Sequence, residues 1–96
     1  MTTIIEQTPT ESLDWTINWA ARGLGSDVIT SSGWSQSSSD FAISETSNTI
    51  TTATFWLTGG NAGNSYSITN TIQTSGGREM QETITFICIP QRIIGR

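Results

Sequence analysis

Histidine and lysine are absent from the 96 residues, and cysteine and proline are scarce, with one and two. Without histidine there is no Ser-His-Asp or Cys-His machinery, and the commonest metal ligand is missing. The single cysteine, Cys88, cannot form an internal disulfide, and its neighbours Phe86, Ile87 and Ile89 predict a buried, inert thiol. The only cations are Arg22, Arg78, Arg92 and Arg96 against eight acids, a formal net charge of −4. That balance gives nucleic acid or an anionic membrane little to attract. No apolar run is long enough to span a bilayer, and Met1–Glu6 has neither the basic start nor the apolar stretch of a signal peptide. The expectation is a protein made and folded in a reducing cytoplasm.

Charged residues are also few, 12% against a usual ~25%, and serine and threonine take their place. Hydroxylated and β-branched side chains suit the solvated face of a sheet, because they satisfy hydrogen bonds without charge. The length fits one domain, able to bury roughly two-thirds of its unfolded surface.

The alternation of side chains predicts strands almost throughout. Leu13, Trp15, Ile17 and Trp19 share one face of the first core strand. Residues 20–27 read as a loop, 28–35 as a strand with a bulge near Gly33, and 36–40 as a turn. A short strand at 41–44 and a turn at 45–48 lead into a strand over 49–58. There Ala53, Phe55 and Leu57 oppose Ile50, Thr52, Thr54 and Trp56. The glycine-rich stretch 59–64 is a corner, since its residues tolerate positive φ. Tyr66, Ile68, Asn70 and Ile72 then share a face, and the tyrosine is placed to return its hydroxyl to the corner's backbone, a tyrosine corner. Ser75–Arg78 is a hairpin signal before a last strand over 79–89, which Pro90 ends. The fold expected is all-β: a single immunoglobulin-like sandwich of about seven antiparallel strands in a Greek key. Residues 1–11 form an N-terminal arm or edge strand, 12–90 the sandwich, and 91–96 a C-terminal tail.

No catalytic, metal or cofactor residues emerge. The carboxylates are scattered, and Gly59–Gly63 lacks the lysine and helix of a phosphate loop. Trp15 and one further tryptophan are expected in the core. Trp34 or Trp56 could instead stack on a sugar or anchor a protein contact, and Trp56 is preferred because Phe55 and Leu57 occupy the opposite face. Edge strands without lysine are poorly guarded against pairing, which points to a building block whose edges neighbours cover.

The blocks Leu13-Asp14-Trp15-Thr16, Ser32-Gly33-Trp34, Thr52–Gly60, Gly63–Ile72 and Ser75-Gly76-Gly77-Arg78 together resemble a family of small immunoglobulin-like structural proteins of tailed bacteriophages, of the neck, head-fibre or fibre-tail adaptor type. The resemblance covers residues 12–89 and implies a virion structural role with no catalytic residues. Its partners would be other virion proteins, namely connector, portal, tail or capsid subunits, in a homo-oligomer or symmetric ring. The candidate contacts are Ile4, Ile5, Trp56, Ile93 and Ile94. A capsid decoration protein uses the same fold, and a carbohydrate-binding module is the reading from another class.

Overall fold

The computed structural model describes residues 3–91, so Ile93 and Ile94 lie outside the described residues. Seven strands follow one another: β1 (Thr3–Gln7), β2 (Ser12–Asn18), β3 (Ile29–Gln36), β4 (Phe41–Asn48), β5 (Thr52–Gly59), β6 (Ser65–Thr74) and β7 (Glu79–Cys88). They form a β-sandwich of a four-stranded sheet, β1-β7-β6-β3, and a three-stranded sheet, β2-β5-β4. Lettered A to G in chain order, the strands neighbour one another as A-G-F-C and B-E-D. The constant-type immunoglobulin sandwich has A-B-E-D and C-F-G, so here the first strand lies in the other sheet.

The core follows from alternation. On β5 Ala53, Phe55 and Leu57 are buried while their neighbours are half-buried, and on β6 every second residue from Tyr66 to Thr74 is buried. Each apolar side chain fully withdrawn from water contributes about 1.5 to 3 kcal/mol. Aromatic contacts join the sheets: Trp34 lies 4.7 Å from Phe55, and Phe41 lies 4.9 Å from Tyr66 and 5.5 Å from Phe86.

Several sequence expectations are corrected. The strands are not all antiparallel, for β1 runs parallel to β7, with Ile5 opposite Phe86. Because they run parallel, with Gln7 opposite Cys88, both strands end at the same pole of the sandwich, where the chain crosses from β1 into β2 of the other sheet. Trp19 leaves the first core strand and opens a 3₁₀ turn, Trp19–Arg22, with its ring still buried. The turn expected at 45–48 is strand: β4 continues past a bulge between Ser44 and Ser47, where Glu45 takes a φ of 49°. Apolar alternation is missing there because this end of β4 faces solvent on both sides. The strand expected from residue 49 starts at Thr52, since the hydroxyl of Thr49 accepts from the backbone of Thr51 and Thr52 and closes a turn that leaves Ile50 63% exposed. In β3 the irregularity falls between Ile29 and Ser31, and Gly33 pairs regularly with Thr71.

Candidate functional site

Three polar clusters fix the sandwich, and they account for most of the side chains that chemistry would use. At the pole where β1 ends, the Asn61 backbone N–H donates to the Tyr66 hydroxyl at 3.0 Å, and that hydroxyl donates to Asp40 Oδ2 at 3.0 Å. The corner bond expected of Tyr66 is present, and Asp40 is an addition that the sequence did not point to. Gly60, with φ of 99°, also donates from its backbone to the Asp40 carbonyl, and a Cβ there would stand 3.1 Å from Cys88 Sγ. Burial pushes the Cys88 thiol pKa up, so the thiol stays protonated and inert.

Buried amides tie the sheets together. Gln7, fully buried, donates to the Leu57 carbonyl at 2.6 Å and the Glu11 carbonyl at 3.1 Å, and accepts from the Trp15 indole at 2.8 Å. Asn70, equally buried, accepts from the Trp19 indole at 2.9 Å and donates to Ser32 and Gly33. Two of the four tryptophans are thus held by amides some 8 and 51 residues away in the chain, as the sequence separations show.

At the opposite pole Asp27 Oδ2 accepts from the Thr74 hydroxyl at 2.9 Å and from Arg78 Nε at 3.0 Å, and Arg78 also donates to the Leu24 carbonyl at 2.8 Å. The Thr74 hydrogen bond first, and Arg78 after it, hold the Asp27 carboxyl below its ordinary value. This clamps the β6–β7 hairpin to the loop before β3. Arg22 pairs with Glu82 at 3.4 Å. Among the described residues no three potential metal ligands gather.

What these clusters leave open is surface. Trp34 packs against the core through Phe55. The hollow beside it, lined by Ser32, Trp34, Thr46, Ser47 and Asn48, measures about 40 Å³, room for water and not for a sugar ring. Trp56 sits differently. It lies on the central strand of the three-stranded sheet, opposite Asp14 of β2 and Ser44 of β4, on the face turned away from the core. The hydroxyls of Thr16 and Thr54 are 2.9 Å apart on the same face. The Trp56 indole is half-buried among these small polar groups.

At the edge of the larger sheet, Ile4 is 62% exposed. Ile5 is corrected as a contact: the next residue of a strand turns to the opposite face, and Ile5 is buried against the core at 7% exposure. Alternation placed Asn70 on the face it shares with Tyr66, Ile68 and Ile72 but could not name its partners, and it gave no sign of Gln7, because the partners of both lie far away in the chain.

Residues 7–87 match the family model described as "Podophage GP4 fiber-tail adaptor protein gp77". The matched span runs from the last residue of β1 to the penultimate residue of β7. No curated protein matches the chain.

Proposed function

The chain belongs to the podophage fibre-tail adaptor family, and from that premise we propose that it is a non-enzymatic structural component of the virion that couples a fibre to the tail. The observation that carries this reading is the family match across nearly the whole sandwich. The side chains support it: the aspartates Asp27 and Asp40 are engaged in structural hydrogen bonds, and the one thiol is buried. The immunoglobulin-like assignment belongs to the same proposal, supported by the B-E-D and G-F-C neighbour relations and by the Tyr66 corner.

In this role the outer face around Trp56 meets a tail or fibre subunit, and several copies act together in a symmetric site. β1 is part of the larger sheet, with Ile5 and Gln7 buried, so the domain proper takes in that strand, and what the chain offers to neighbours is the outer edge of β1 and residues 91–96. Immunogold electron microscopy on particles, with antibody raised against the purified chain, tests the placement. Label at the junction of fibre and tail is the expected result. Label spread over the head would replace the adaptor role with capsid decoration, and unlabelled intact particles would remove the protein from the virion.

A further inference from the structure

The larger sheet ends in β1 on one side and β3 on the other, and the smaller sheet in β2 and β4. An open strand edge recruits other chains unless it is short, bulged or guarded by charge, and three of these four edges carry such a guard. β1 has five residues, β3 shifts register between Ile29 and Ser31, and β4 bulges between Ser44 and Ser47. β2 carries none of them. Its seven residues keep one register against β5 from Ser12 to Asn18, with no proline and no cation among them.

The ladder decides which backbone groups face the open side. The Trp19 N–H donates to the Thr51 carbonyl at 2.9 Å, in the register that also sets Ile17 opposite Ala53 and Trp15 opposite Phe55. Hydrogen-bonded pairs alternate along an antiparallel ladder. Leu13, Trp15 and Ile17 therefore bond to β5, while Ser12, Asp14, Thr16 and Asn18 turn their N–H and C=O groups away from it. Arg22 takes the Asn18 carbonyl at 3.0 Å, and no described strand pairs with the others. The side chains mark the same opening. Leu13 and Trp15 are half-buried, whereas Leu57 and Phe55 opposite them are fully buried. The end of β1 lies inside this rim, since Gln7 reaches the Leu57 carbonyl of β5, one strand in from β2.

We propose that β2 pairs antiparallel with β2 of a second copy, about a two-fold axis at Trp15. This register engages all seven residues and sets Asp14 opposite Thr16, and Ser12 opposite Asn18, of the second copy. The outward backbone groups then meet as hydrogen-bonded pairs. An axis at Asp14 would instead oppose two carboxylates, and an axis at Thr16 would leave Ser12 and Leu13 without partners. At the Trp15 axis the two tryptophans form a close, non-hydrogen-bonded pair, and Leu13 meets Ile17, which covers apolar surface that the open rim leaves half-buried. The two three-stranded sheets become one of six strands, with both Trp56 faces on the same side. The contact is isologous, so it closes at a dimer. It stands on the strand itself, whatever the protein joins in the particle.

Sedimentation equilibrium on the full-length chain tests it. Wild type should dimerise and stop there, with a dissociation constant of roughly 10 to 100 µM, as suits one strand edge and a few side chains. Thr16→Pro removes an outward N–H at an edge position that tolerates proline, so circular dichroism should be unchanged and dimerisation about a hundredfold weaker. Charge at residue 16 reads the register. Thr16→Lys places two lysines opposite two Asp14 carboxylates and should tighten the dimer about tenfold, and Thr16→Asp should weaken it about tenfold. Ser67→Lys and Ser67→Asp make the same charge changes on the outer face of the other sheet and should leave association within about twofold of wild type. A wild-type chain that stays monomeric at about 500 µM would overturn the proposal. So would equal dimerisation of the lysine and aspartate variants at residue 16, or an equal response at residue 67. No particle enters the measurement, so such a failure would leave the adaptor role standing.

Discussion

Tyr66 and Gln7 show how single polar atoms decide this fold. The Tyr66 hydroxyl joins the β5–β6 corner to Asp40, which sits between β3 and β4, so one oxygen links loops from both sheets. Tyr66→Phe keeps the ring contacts with Phe41 and Phe86 but leaves the Asn61 N–H and the Asp40 carboxylate without that partner. A loss of about 1 to 3 kcal/mol is expected, read from urea denaturation. Gln7→Ala is expected to do at least as much harm, about 2 to 4 kcal/mol by the same measurement. It strands the Leu57 carbonyl and the Trp15 indole N–H and opens a cavity at a fully buried site. Tyr66 was legible in the sequence because a glycine-rich corner precedes it. Gln7 was not, because a glutamine near an N-terminus carries no local sign of burial.

Among the elements, the hairpin between β6 and β7 is tied down by an ionisable group, Asp27. Asp27 has a carboxyl pKa lowered below 3.8, by Thr74 first and then by Arg78. A lowered carboxyl pKa means that folding favours the charged form, so the contribution is complete above the unfolded value and disappears as pH falls through the folded one. Asp27→Asn should therefore be less stable than wild type at neutral pH, and the gap should close as pH falls below about 4, measured as urea midpoints across a pH series. A gap independent of pH would mean that the carboxylate charge contributes nothing. β5, β6 and β7 were legible from alternation, since each has one wet and one dry side. β4 was only half legible: its distal end pairs through the backbone, with Ser47 opposite Thr54 and Asn48 opposite Ala53, beyond the bulge at Glu45.

At the scale of the whole molecule, the surface divides into a polar sheet face centred on Trp56 and a sheet edge marked by Ile4. Trp56→Ala removes a ring that packs on the outer face, so stability should change by about 1 kcal/mol or less. Incorporation of the protein into particles, followed by quantitative immunoblot of purified virions, should fall several-fold. Normal incorporation would take that face out of the adaptor contact. Among the described residues no helix is long and apolar enough to cross a membrane.

The sequence by itself determined that the chain is built of strands, which residues face inward on most of them, and most of the places where the chain turns. Those are local properties, written in a period of two and in residues that accept positive φ. Only the tertiary structure decided that β1 joins β7 in parallel, that Ile5 is core while Ile4 is surface, and that Trp34 packs on Phe55. The physical reason is range. A strand's alternation fixes its two faces, but which face meets the core depends on the sheet it enters. Likewise a buried amide such as Asn70 is satisfied only by groups that lie 37 to 51 residues away in the chain.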